Sequence, residues 1–199
     1  MNIIVTPYKS NSFYFRPDNT LQRDCCKDFF IPNGVKKLNA TPILYVKVSK
    51  AGKAVSQKFA SRYYQSFGYG VMINCHFEGN DDPVMKFYAA TSVDNSSIIP
   101  MPLWNIEAIN GEMTNFSLII NNIEVFKSTE NPIDVEEIES QIAVVSKNCS
   151  LRIGDLIAFE LTSHEIELSQ GDSLQAIIGE MNQIDFKICW AAEAPAKLP

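Results

Sequence analysis

Four side chains able to ligate a metal ion, His76, Glu78, Asp81 and Asp82, fall within one short stretch of this sequence. If the strand-like run before them continues, His76 and Glu78 share a face, since successive strand side chains alternate. An imidazole beside a carboxylate is then a candidate metal-binding pair. The same stretch also reads as a solvated loop, because Gly79-Asn80 lies in its middle and adjacent acids repel. A second group, His164 with Glu165 and Glu167, has less to recommend it. Nucleophilic chemistry finds little support. The five cysteines, Cys25, Cys26, Cys75, Cys149 and Cys189, lack paired metal-ligand spacing, and Cys25-Cys26 is no Cys-x-x-Cys motif, so they read as buried thiols. Cys75 adjoins His76, yet neighbours on a strand point apart, which makes the two a poor dyad.

The elements that must position these residues are mostly strands. Apolar and β-branched runs recur between turn residues, as in Ile43 to Val48, Gly70 to Asn74 and Leu156 to Leu161. Phe116 to Phe126 has two strand-like halves about Asn121-Asn122, a pair tolerant of the left-handed backbone that a tight hairpin needs. Asn110-Gly111 marks a similar turn between strand-like Trp104 to Ile109 and Glu112 to Ile120. Two helices are predicted. One covers Ser56 to Ser66, with Phe59, Tyr63 and Tyr64 on a buried face. The other covers Val135 to Ser146, with Ile138, Ile142 and Val145 at helical spacing and Asp134 as its cap.

With 199 residues, 46% of them apolar, the chain can bury a sizeable core. The spacing of its signals predicts one domain over residues 1–190 and a flexible tail over 191–199. A net charge of -6 without a basic stripe argues against nucleic acid. The absence of a leader-like start and of a long apolar run predicts a cytoplasmic protein with no membrane partner.

Several motifs in order resemble the fumarylacetoacetate hydrolase family. Leu151-Arg152-Ile153-Gly154-Asp155-Leu156-Ile157, then Leu168-Ser169-Gln170-Gly171-Asp172, then Ile177-Ile178-Gly179-Glu180 are similar to its closing section. Gly52-Lys53, Lys58-Phe59-Ala60, Tyr63-Tyr64 and Gly68-Tyr69-Gly70 are similar to the segment joining its two metal-binding stretches. Phe15-Arg16-Pro17-Asp18-Asn19-Thr20-Leu21 resembles its Phe-x-Lys-Pro-Asp-x-x-Leu stretch, and Ser92 to Ser96 its Phe-Asp-x-Ser turn. The resemblance spans residues 13–188 with gaps. It implies a mainly β fold, a mixed β roll or sandwich with a few short peripheral helices, commonly dimeric.

The resemblance also implies chemistry. The family acts on carbon-carbon bonds beside carbonyls, or decarboxylates oxo acids, on a divalent cation held by Glu-x-Glu and Asp. A hard cation such as Mg²⁺ wants anionic oxygens. Here the two Glu positions match Thr41 and Ile43, and the Asp position matches Met72, a soft thioether. A two-residue slip substitutes Asn74 for Met72 and still brings no charge. The family's lysine matches Thr91, and its Thr-Gly-Thr-Pro anion-binding turn matches Phe159-Glu160-Leu161-Thr162. Its mobile acid/base lid has no counterpart, since Tyr8 to Asn11 runs almost directly into Phe13-Tyr14-Phe15.

The leading expectation is therefore a catalytically inactive relative with no cofactor, acting as a small-molecule sensor or as a partner subunit. It would form a homo-dimer or pair with an active relative, and a small oxo acid is a possible ligand. The alternative is an Mg²⁺- or Mn²⁺-dependent hydrolase, isomerase or decarboxylase of acylpyruvate-like acids, with its ligands relocated to His76 and Glu78. Metal-free acid/base chemistry at Asp94 or Glu160 ranks third. Ile43, Met72 and Phe159 together have the bulk to fill the ancestral pocket.

Overall fold

The computed structural model describes residues 1–79, 82–101, 103–110, 115–128 and 134–190. Two long strands organise it. β1 (Ile3–Thr6), β2 (Tyr14–Arg16), β3 (Leu21–Gln22) and β4 (Phe29–Ile31) lead into β5 (Val35–Val48), which returns antiparallel along β6 (Tyr64–Phe77) over almost its whole length. α1 (Pro83–Thr91), β7 (Ser97–Ile98), β8 (Trp104–Asn105) and the hairpin β9 (Phe116–Ile120) and β10 (Ile123–Lys127) follow. α2 (Val135–Asn148), β11 (Leu156–Glu160), β12 (Ile166–Leu168), β13 (Ser173–Ile178) and β14 (Met181–Trp190) complete the order.

Among the described residues these strands form two sheets. The larger runs β2-β1-β11-β5-β6-β7-β3, with β12 on β5 and β8 on β6; the smaller runs β10-β9-β13-β14-β4. β5 is buried on both faces because each face meets its own apolar cluster. Leu44, Val46 and Val48 enter the main core, which includes the inner faces of the smaller sheet and α2, while Ile43 and Tyr45 enter a lesser cluster with Met72, Ile99 and Leu156. That explains why the run Ile43 to Val48 shows no polar alternation. Gly70 permits a close neighbour: a Cβ there would lie 2.5 Å from the Ile98 carbonyl oxygen on β7.

The mainly β architecture agrees with the sequence reading, and so does the hairpin, where Asn121 and Asn122 both take positive φ (51° and 65°). α2 extends to Asn148, and Asp134 caps it by accepting from the Glu137 backbone N–H at 2.7 Å. Other expectations need correction. The segment read as a helix over Ser56 to Ser66 is a 3-10 turn over Gln57–Tyr63, and Tyr64 already opens β6, pairing with Val48. Phe59, expected in the core, is exposed with Lys58 and Arg62 over its ring. Trp104 to Ile109 is a two-residue strand followed by a 3-10 turn (Ile106–Asn110), started by the Asn105 side chain accepting from the Glu107 N–H. Gly111 of the expected Asn110-Gly111 turn, the Glu112 side of that turn and the tail 191–199 lie outside the described residues. No helix among the described residues is long and apolar enough to cross a membrane.

The helix that sequence periodicity missed is α1. Asp82 accepts from the Val84 N–H at 2.9 Å and Pro83 occupies the first turn, a standard start. Its apolar side chains, Val84, Met85, Phe87 and Tyr88, are largely exposed, so it carries no core-facing stripe to read.

Candidate functional site

Strand alternation decides which sequence candidates meet. On β5, Asn39, Thr41, Ile43 and Tyr45 share one face, and the register brings Asn74 opposite Asn39, Met72 opposite Thr41 and His76 opposite Lys37. This face divides into two zones. Toward Tyr45 it is the closed lesser cluster, in which Ile43 is fully buried and Met72 is 1% exposed. Toward Asn39 it opens into a cavity of about 420 Å³, with Asn39, Thr41, Asn74 and His76 as its floor. α1 roofs the cavity through Lys86, Phe87, Ala90 and Thr91. Tyr14 of β2, Glu160 at the end of β11 and the loop Thr162 to Glu165 complete the wall.

The sequence candidates are thus sorted by geometry. Thr41 and Thr91 reach the cavity; the Thr41 hydroxyl accepts a long bond (3.4 Å) from Asn74 Nδ2, and Thr91 Oγ1 donates back to the Phe87 carbonyl at 2.9 Å. Ile43 and Met72 are sealed beside it. Phe159 is not a pocket residue: it pairs with Leu44 and points into the main core, so it cannot fill the cavity as expected. The cavity is open.

Among the described residues the expected metal cluster does not assemble. His76 faces the cavity, whereas Glu78 lies past the end of β6 and ion-pairs with Lys36, and Asp82 is spent on capping α1. Asp81 lies outside the described residues. Glu165 and Glu167 both contact Lys37 Nζ, and its hydrogen bond holds the Glu165 carboxyl below the usual range. Cys75 points away from His76 into the main core, where burial pushes its thiol up to about 12. Cys25 is buried likewise, but Cys26 is exposed and Cys149 and Cys189 are half-buried, so the reading of five buried thiols holds for two. The Asp94 carboxylate accepts from Asn19 Nδ2 and is not among the residues that line the cavity.

Three features escaped the sequence. Both histidines of the chain, His76 and His164, line this one cavity although they lie far apart in sequence. Tyr14 Oη donates to Glu160 Oε1 at 3.0 Å, and burial followed by the Glu160 charge holds its phenol well above the ordinary range. Behind them Arg16, 1% exposed, sends Nη1 to Asn74 Oδ1 (2.8 Å) and Nη2 to the Ile73 carbonyl (2.9 Å) and Ser96 Oγ (2.7 Å). Among the described residues no carboxylate ion-pairs with it.

Burial is also the main cause that raises the Glu160 carboxyl, opposed by the bond from Tyr14. A raised folded pKa adds stability that is complete below the unfolded value, about 4.3, and is lost as pH rises through the folded one. Glu160→Gln is therefore expected to stabilise the protein at pH 8 but not at pH 4. Urea midpoints at the two pH values test this; an equal gain at both would show that desolvation of the charge is not its source.

By sequence the chain matches no family model and no curated protein. Its architecture does have solved counterparts. Maleylpyruvate hydrolase from Sphingobium sp. SYK-6 superposes with a TM-score of 0.71 at 18% identity, over 96% of this chain and 70% of that one. Fumarylpyruvate hydrolase from Pseudomonas aeruginosa, in complex with Mn²⁺ and pyruvate, gives 0.73 at 12% identity, over 96% and 90%. A protein from Yersinia pestis CO92 described as of the fumarylacetoacetate hydrolase family gives 0.73 at 18%, over 94% and 92%. The chain has the fumarylacetoacetate hydrolase fold. Whether this version of the fold suits a divalent cation depends on its donors. At the three positions where the sequence match places carboxylates, it offers one neutral hydroxyl, one hydrocarbon and one buried thioether. No group of three His, Cys, Asp or Glu side chains among the described residues is placed to hold a metal. These residues do not fit Mg²⁺ or Mn²⁺.

Proposed function

We propose that this chain is a metal-independent binding protein built on a hydrolase fold, which holds a small molecule in the cavity beneath α1 and does not cleave acylpyruvates. The reading is carried by the sealing of Ile43 and Met72 in apolar packing next to a cavity that stays open. A carboxylate is needed at those positions to anchor a hard cation, and the lesser cluster would have to be broken to admit one. The volume, about 420 Å³, falls within the range of small-ligand sites, which favours binding over a purely structural role.

Calorimetric titration of the metal-stripped protein with Mg²⁺ and with Mn²⁺, each with and without oxalate as a mimic of a bound oxo-acid enolate, tests the proposal. No heat beyond dilution is expected. Tight binding strengthened by oxalate would overturn it and favour an enzyme with relocated ligands.

A further inference from the structure

By alternation, the face of β5 that carries Asn39, Thr41, Ile43 and Tyr45 ends at Lys47. The lesser cluster on that face therefore has two ends. One opens into the cavity under α1, and the other into a separate pocket of about 180 Å³ that shares none of that cavity's residues. The floor of this second pocket is apolar: Ile99 and Leu156 are 1% and 2% exposed, and Leu21 packs against the same cluster. Lys47 pairs directly with Leu156 across β5 and β11, which puts the two side chains on one face. Arg23 stands two residues on from Leu21, and both cations line the pocket and are exposed.

Among the described residues no acid answers them. The pocket wall carries no Asp or Glu, and neither Lys47 nor Arg23 takes part in an ion pair. The carboxylates nearest in sequence are engaged elsewhere. Asp155 accepts from the Asn2 backbone N–H at 2.8 Å, the Asn2 side chain at 3.2 Å and the Arg152 N–H at 2.9 Å. Asp24 accepts from the Cys26 N–H at 3.3 Å. In a chain of net charge -6, a pocket whose charged side chains are all positive is a local reversal of sign, and it favours an anion.

We propose that this second pocket binds a short aliphatic carboxylate, with its head between Lys47 and Arg23 and its tail on Leu21, Ile99 and Leu156. The guanidinium fork of an arginine matches a carboxylate, and the hydrocarbon floor gives an alkyl tail surface to cover. The volume lies below the range of about 300–1,000 Å³ that holds drug-sized ligands, which limits the tail to a few carbons. The assignment does not depend on what the cavity under α1 holds.

Hexanoate, 1-hexanol, hexylamine and inorganic phosphate, titrated at neutral pH and low ionic strength into the isotope-labelled full chain and followed by amide chemical shifts, test it. Hexanoate is expected to move the amides of Leu21, Arg23, Lys47, Ile99 and Leu156, with a Kd at least about tenfold below those of hexylamine and phosphate. Lys47→Gln and Arg23→Gln alter exposed side chains and should fold normally. Each is expected to weaken hexanoate by about fivefold while leaving 1-hexanol unchanged. Hexylamine binding as tightly as hexanoate, or indifference of hexanoate to both substitutions, would overturn the assignment of charge. Phosphate binding as tightly as hexanoate would overturn the role of the apolar floor. Hexanoate moving the amides of Thr41 and His76 in place of these would put the anion under α1 and overturn the second site, as would no movement at all. The comparison of probes on the parent protein needs no variant, so a misfolded substitution would not rescue the proposal.

Discussion

Replacing Arg16 with alanine is expected to cost about 4 kcal/mol of folding stability, roughly 10 °C in the unfolding midpoint for a chain of this size. The guanidinium is fully buried and joins three segments: β2, which carries it; β6, through the Asn74 side chain and the Ile73 carbonyl; and the turn before β7, through Ser96. Removing it strands those acceptors away from water and leaves a void beside the lesser cluster. Each stranded group costs about 1–3 kcal/mol, so the sum exceeds that of an ordinary large-to-small change at the surface. Arg16→Lys should fall between the two proteins, since an ammonium cannot reproduce the planar fork that reaches Asn74 and Ser96 together. Urea denaturation of the three proteins checks the order. Equal stability of Arg16→Ala and the parent would mean that these bonds are exchanged for water at no cost, and that the site is wetter than its burial indicates.

Met72→Asp is the second large effect, with an expected loss of roughly 3–5 kcal/mol at neutral pH. The substitution installs the carboxylate that the family resemblance assigns to this position, but into the apolar packing of Ile43, Tyr45 and Ile99. Desolvation would raise the folded pKa of the new carboxyl above its unfolded value. The variant should therefore recover part of its stability as the medium is acidified toward pH 4, where the carboxyl is protonated. Denaturant midpoints across pH 4 to 8 give the measurement. A flat, parent-like profile would show that water already reaches Met72, and would reopen the case for a cation there.

How far the sequence discloses these sites depends on the physics behind each signal. β5, β6 and the β9–β10 hairpin were legible because β-branched runs and an Asn-Asn turn are local properties. α2 was legible because Ile138, Ile142 and Val145 form a stripe that must be buried. α1 was not, since Val84, Met85, Phe87 and Tyr88 are largely exposed and form no core-facing stripe; only Asp82-Pro83, an N-cap followed by proline, announced it, and the surrounding acids read as a loop. Gln57–Tyr63 looked helical because its aromatics are suitably spaced, but pairing of Tyr64 with Val48 drew the chain into the sheet. The expectation that Thr41, Ile43 and Met72 stand where the resembled family keeps its carboxylates came from the motif match alone. The cavity beside them was not visible, because Tyr14, Asn39, Glu160 and His164 come from separate segments that only the tertiary register brings together. Phe159 illustrates the limit: its place in the motif was readable, but which face of β11 it occupies was set by its pairing with Leu44.

The parallel pairing of β1 with β11, Ile3 beside Leu156, bears on how the molecule is made. β4 and β14 repeat the arrangement in the other sheet, Phe29 beside Cys189's neighbour Ile188. On a ribosome β1 and β4 therefore emerge long before their partners exist: the larger sheet cannot close until β12 has left the exit tunnel, and the smaller not until β14 has. Such long-range closure is slow and leaves apolar edges uncovered in the meantime. The nascent chain is thus most exposed to misassociation during its own synthesis, and a chaperone that shields residues 1–31 over that interval would protect it at the stage where it is weakest.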